Sequence, residues 1–477
     1  MSHSNDNLII KEVITSANVA LINESNESNE SNDLQEVAFS TENEYIHDPD
    51  TRLDFNRKNI EAMSKYIQVV DSDPDSKIEM FCYNKCTEED NSLIKQCRGV
   101  VFDGDNLVMK AFPYTSELNN TETGLVNSFV IDFENWSFYD SHEGACVRMF
   151  FHKGKWFLST HRKLNAFKSK WASRESFGTS FKNALLEEEE NNPLFKKGLP
   201  TGENILERFQ ETLDISKQYM FLICNTKDNR IVCSAPSRPT VYHVGTFVDG
   251  LLVVSDDVNI NINIKMPVKL KFDSSSQLIE YVKNVNYRDI QGVIGFNNNN
   301  KQLKILNKDY QDLFSARGNE PSIKFRYLQI RMNPDMVNML YHLYPDMTDS
   351  FEDYENTLFE IGLSIYKAYV NRFIKKQYTI VPQEEFSIMS KCHSWHMSDR
   401  ENNRISVDKI IRIMNEQTPT HLNHMIRRFK IVKIDDVSEK LKPLMYKKRS
   451  EKLNKVDTPI IIERKPLYIP QNKNIQE

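Results

Sequence analysis

The chain has 477 residues, with 61 Lys and Arg against 67 Asp and Glu for a formal net charge of -6, and is 39% hydrophobic and 10% aromatic. That length is too great for one ordinary core and predicts two folded domains with tails. The mildly negative balance excludes a uniformly basic polyanion binder, so a nucleic-acid surface has to be argued from local clusters.

The 7 cysteines, scattered from Cys82 to Cys392, do not make a small disulfide framework and fit a reducing, intracellular compartment. No apolar run is long enough to span a bilayer, and the first residues are polar rather than signal-like, so the reading is a soluble cytoplasmic protein with no membrane partner.

Along the chain, NESNESNESND at 23–33 has nothing to bury, and residues 1–50 read as a disordered tail. Structure is expected from Asp54, where DFNRKNIEAMSKYI places Ile60, Met63 and Ile67 at helical spacing. From about 78 to 310 the apolar runs are short and β-rich: LVMKAF, FVIDF, ACVRMFF, KWFLST, YMFLICN, RIVCSA, TVYHVGTFV and GVIGF. FFHKGKWF reads as a hairpin around Lys153 and Gly154, and SFKNALLEEEE as an interrupting helix. The sum is an α+β domain with antiparallel sheets over 51–320.

Beyond 325 the period changes. Tyr354, Leu358, Ile361, Ile365 and Tyr369 share one helical face; Val407, Ile410 and Ile411, then Leu422, Met425 and Ile426, mark two more helices, the last capped at Thr418 before Pro419. Residues 325–435 read as an all-helical domain, and 436–477 as a basic, proline-punctuated extended tail.

KQCRGVVFDGDNLVMKAFP at 95–113 is followed by YDSHEGACVRMFFHKGKWFLSTHRK at 139–163, YMFLICNTKDNRIV at 219–232, QGVIGF at 291–296 and LKILNKDY at 303–310. In this order the segments resemble the phage-type RNA ligase family of covalent nucleotidyltransferases. The resemblance implies a nucleotidyltransferase domain and a helical C-terminal domain. For an active member it also implies ATP and Mg as cofactors, with a motif lysine attacking the α-phosphate. Arg98, Gly144, Phe221 and Lys304 fall on nucleotide-binding positions.

The chemistry-bearing positions depart from the pattern. Ser141 stands at the motif lysine, Leu222 and Gln291 at two carboxylates, and Leu306 at a second basic residue, while Glu143 keeps the motif acid. A site needs its specific groups, whatever its fold, so the resemblance implies a degenerate member that binds RNA or a nucleotide and has no catalytic residue, no metal site and no certain cofactor. The rival is an active RNA ligase or nucleotidyltransferase using Ser141, His142 as a phosphoramidate nucleophile, or an unaligned lysine such as Lys110. A third reading is a structural scaffold with a protein partner. The Asn- and Lys-rich, Gly-poor composition resembles proteins of large DNA viruses, which would make the protein a component of a viral assembly or a packaged virion protein.

From Ala145 to Ala172 there is no acid. Arg148, Lys153, Lys155, Arg162, Lys163, Lys168 and Lys170 interleave there with Phe150, Trp156, His161, Phe167 and Trp171. Cations for phosphate and rings for bases suit RNA or another single-stranded nucleic acid, and a core plus a solvated face is the alternative. Cys82, Cys86 and Cys97, and Cys392, His393 and His396, lack the second ligand pair that zinc needs and read as packing and capping residues. In the helical domain, Arg427, Arg428 and Lys430 read as the solvent face of a helix.

Overall fold

The computed structural model describes residues 54–119, 126, 133–225, 231–254, 263–297 and 301–432. The Ser-Asn-Glu repeat, most of FVIDF and the basic tail lie outside the described residues. The chain divides into two compact units between Glu352 and Asp353.

Three sheets organise the described part of the first unit. The first is the antiparallel meander β1 (Ile67–Asp73), β2 (Ile78–Tyr83), β3 (Arg98–Asp103) and β4 (Asn106–Met109). A short helix, Arg57–Ala62, precedes it, capped by the Asn56 side chain accepting from the Asn59 amide. The helix expected to run through Ile67 stops at Met63, and Ile67 opens β1 opposite Tyr83. Pairing the β-branched segment IQVVDSD along β2 satisfies a whole row of backbone groups, which outweighs one more helical turn.

After β5 (Ser116–Asn119) and β6 (Trp136–Ser141) come β7 (Ala145–His152) and β8 (Lys155–Ser159), then β9 (Gln218–Cys224), β10 (Thr240–Val248) and β11 (Leu251–Val253). The last strands are β12 (Lys269–Leu270), β13 (Gly292–Asn297) and β14 (Gln302–Leu306). The second sheet has the order β11-β10-β9-β7-β8 and the third β12-β6-β13-β14-β5. Pairings in these two sheets are antiparallel except β14 with β5. The β7–β8 turn is the expected hairpin: Lys153 and Gly154 both have positive φ, +44° and +80°, the conformation of a tight primed turn.

Helix Phe177–Asn191 covers the second sheet. Its Phe181, Ala184 and Leu185 pack with Phe209, Tyr219 and Phe221 into a buried aromatic core. One expected strand is absent: RIVCSA is an irregular segment over its described residues. The amides of Ile231, Val232 and Cys233 donate to the Glu143 carboxylate instead of to a neighbouring strand. The protein is therefore α+β with predominantly antiparallel sheets, followed by a helical region.

The second unit contains helices Gln383–Ser398, Val407–Asn415 and 419–432, besides the later turns of Thr348–Tyr369. Leu358, Ile361, Ile365 and Tyr369 are buried, as are Ile410, Leu422, Met425 and Ile426. Thr418 caps the last helix, its hydroxyl oxygen accepting from the His421 amide at 3.3 Å. Arg428 forks onto Glu384 and Glu385 at 2.8 and 3.0 Å, so this cation is engaged within the unit. No helix among the described residues is long and apolar enough to cross a membrane.

Candidate functional site

The YDSHEGACV block connects two sheets. Its chain leaves the third sheet at Ser141, the end of β6, and enters the second at Ala145, the start of β7, so residues 142–144 bridge them. Beside this bridge opens a cleft of about 350 Å³, lined by β6, β13 and β14 on one side and by β7 and β9 on the other. The bridge itself is tight. A Cβ on Gly144 would sit 2.5 Å from the Ile223 carbonyl oxygen, so only glycine lets β9 approach there.

Ser141, Gln291 and Leu306 are brought together at one end of the third sheet. Gly292 is the cross-strand partner of both Ser141 and Leu306. It has φ +148°, and a Cβ there would lie 2.1 Å from the Ile305 carbonyl oxygen. Ser141 is only 3% exposed; its Oγ donates to Gln291 Oε1 at 3.3 Å, and the Gln291 amide donates to the Ser141 carbonyl at 2.8 Å. The hydroxyl is thus paired with a neutral amide, which cannot act as a general base. Leu222 lines the same cleft from β9, whereas its neighbour Phe221 points the other way, fully buried in the aromatic core.

Glu143 is held inside the bridge. Its carboxylate accepts from the amides of Ile231 at 2.5 Å, Val232 at 2.9 Å and Cys233 at 3.1 Å, and from the Tyr310 hydroxyl at 3.2 Å. Burial pushes its pKa up, and the four donors oppose this without cancelling it. This acid therefore ties an irregular segment and helix Lys308–Arg317 to the bridge.

Lys304 lines the cleft on β14 and pairs with Glu117 across the parallel β5 contact at 3.2 Å. Arg98 lines it from β3. His142 stacks on Tyr242 with centroids 4.4 Å apart and planes 12° from parallel, and burial lowers its pKa, favouring the neutral ring. Lys110 is not among the cleft-lining residues described; its Nζ donates to the Gly250 carbonyl at 3.3 Å.

The basic stretch separates into two groups. Arg148 is 3% exposed, with its guanidinium donating to the carbonyls of Arg98, Gly99 and Thr160, and desolvation lowers its pKa to about 10. Lys153 pairs with Asp103 at 2.6 Å, Lys155 with Asp73 at 2.6 Å and Lys163 with Asp71 at 3.8 Å, all acids of the first sheet. Trp156 is half-buried, packed against the aromatic core. Arg162 and Lys170 line the cleft, and Lys168 is exposed beside the exposed ring of Phe167.

Gln302 carried no sequence signal, while Tyr310 closed a motif-like segment and Trp171 stood in the basic-aromatic stretch without the roles the structure gives them. Tyr310 completes the Glu143 cradle. Gln302 and Trp171 present buried N–H groups without a protein partner, and both line the cleft. Position in space, fixed by strands far apart in sequence, is what gives them a role. No group of three His, Cys, Asp or Glu able to hold a metal occurs among the described residues. Cys82, Cys86 and Cys97 are buried, with burial pushing the Cys86 and Cys97 thiols up to about 12. His393 stacks on Phe373, and His396 bonds the Asn403 carbonyl.

No family model matches the chain. It is 28% identical over 381 residues to an immediate-early protein ICP-46 homolog of Invertebrate iridescent virus 6, covering 73% of this chain and 80% of that protein. It is 23% identical over 262 residues to the immediate-early protein ICP-46 of Frog virus 3, covering 52% and 63%. Among solved structures it is similar to an archaeal ATP-dependent RNA ligase at 11% identity and TM-score 0.37, over 62% of this chain and 74% of that one. A putative ATP-dependent DNA ligase from Aquifex aeolicus gives 12% identity and TM-score 0.34, over 70% and 85%.

Proposed function

We propose that this is an RNA-ligase-like protein whose cleft binds a nucleotide without forming a lysyl-nucleotide bond. The observation that carries the reading is the buried Ser141–Gln291 pair. A hydroxyl bonded to an amide occupies the strand end where the resembled ligases carry the lysine, and Leu222 and Gln291 stand where they carry carboxylates. Neither group can ionise, so nothing at these positions activates a nucleophile or holds a metal-bound phosphate. Iridescent-virus relatives and 7 free cysteines support a virus-encoded protein of a reducing compartment such as the cytoplasm.

The test is incubation of the purified chain with α-labelled ATP, and separately GTP, with magnesium or manganese, followed by a denaturing gel. The expected result is no retained label beside a ligase control that labels. An acid-labile label would overturn the reading and point to His142 or to a cleft lysine, Lys170 or Lys304.

A second reading, single-stranded RNA along the cleft edge, is favoured by Lys168, Lys170 and the exposed Phe167, cations and a ring at one margin. Salt-dependent mobility shift of an oligoribonucleotide tests it.

A further inference from the structure

The cleft's polar groups divide by charge in a way that the ligase resemblance does not imply. The carboxylates among its described lining residues are Glu117, Asp140 and Glu143, and each is engaged: Glu117 by Lys304 at 3.2 Å, Asp140 by the Tyr281 hydroxyl at 2.8 Å, and Glu143 by backbone amides and Tyr310. A divalent cation binds through convergent carboxylate or carbonyl oxygens, and no such grouping of acids is present among the described residues. The metal that the ligase resemblance implies does not fit this donor set.

The donors tell the opposite story. Gln302 is 5% exposed; its Oε1 accepts from the Thr115 hydroxyl at 2.9 Å, which leaves its Nε2 group buried without a partner. Trp171 is 8% exposed with an unpartnered indole N–H, and Arg162 Nε is likewise buried and unpartnered. A buried donor without an acceptor costs its full desolvation, and these three belong to side chains that line one cleft, where a ligand rich in acceptor oxygens would relieve them. Arg98, Arg162 and Lys170 add positive charge to the same lining, where Lys304 is offset by Glu117. An anion with several oxygens satisfies both features at once.

We propose that the cleft holds the phosphate oxygens of its nucleotide with protein cations and N–H donors alone, with no divalent metal between them. The inference rests on the nucleotide-binding reading above and specifies its ligand chemistry as a metal-free nucleoside phosphate.

The test is titration calorimetry of the full chain with ATP, once in excess EDTA and once in magnesium. The expected result is binding in both, with dissociation constants within about twofold of each other. Arg162→Ala weakens binding about tenfold in both buffers, the loss typical of a hydrogen bond to a charged group. Gln302→Met, which keeps the shape and removes the donor, weakens it in the same direction, with the melting temperature of the free protein as the folding control. Binding only in magnesium overturns the inference and leaves nucleotide binding standing. ATP affinity unchanged in both folded variants also overturns it. No binding in either buffer overturns the nucleotide reading itself. If a variant does not fold, the comparison of EDTA with magnesium on the unmodified chain still decides.

Discussion

At Ser141 the proposed absence of lysyl-nucleotide chemistry rests on more than one amine. Replacing the serine with lysine would supply a nitrogen, but Leu222 and Gln291 would still offer no carboxylate, and Glu143 would remain committed to three backbone amides and Tyr310. Ser141→Lys is therefore expected to give no label with α-labelled ATP; a strong label from that single change would show that the cleft keeps the rest of its machinery. The neighbouring His142 has a different, pH-dependent signature. Burial lowers its pKa from the ordinary 6.5, so the folded chain keeps it neutral where the unfolded chain protonates it. Its contribution to stability is full above pH 6.5 and is lost as pH falls below that value toward the folded pKa. His142→Phe, which preserves a ring against Tyr242, should flatten the decline of denaturation midpoint just below pH 6.5, and an unchanged slope would remove the histidine from that transition.

Among the elements, the β13–β14 pair sets the shape of the site through one glycine. A Cβ at Gly292 would meet the Ile305 carbonyl at 2.1 Å, with φ +148° adding backbone strain, so both strands would have to part. Gly292→Ala is expected to cost more than about 3 kcal/mol in chemical denaturation, because the contact is with backbone that cannot give way. Gly154, with φ +80° but open space around it, is the control: Gly154→Asn should cost less than about 1 kcal/mol, since asparagine tolerates that turn. The strands bearing the motif-like segments were legible in sequence, because alternation and turn residues report on pairing that is local or nearly so. The elements misread were those decided from a distance. Ile67 fits a helical period with Ile60 and Met63, yet β2 recruits it into a strand. RIVCSA has the composition of a strand, yet a single carboxylate more than eighty residues away takes its amides, as the separations of 88, 89 and 90 positions record.

For the whole molecule the same limit governs charge. The stretch from Ala145 to Ala172 is free of acid along the chain but not in space, because Asp71, Asp73 and Asp103 of the first sheet meet Lys163, Lys155 and Lys153. Sequence shows the seven cations and cannot show which three are neutralised by strands folded from elsewhere, nor that Arg148 is buried against carbonyls. The distinction is measurable. Each phosphate contact on a single strand contributes about 0.7 to the fall of log affinity with log salt, so Arg162, Lys168 and Lys170 acting alone give a slope of about -2 for an oligoribonucleotide. An interface that also used Lys153, Lys155 and Lys163 would give about -4. A slope near the shallow value, together with loss of the shift in Lys168→Ala/Lys170→Ala and its retention in Lys155→Ala, would locate RNA at the cleft margin. The steep value would mean that the ion pairs to the first sheet open on binding, and the hairpin lysines would then belong to the interface after all.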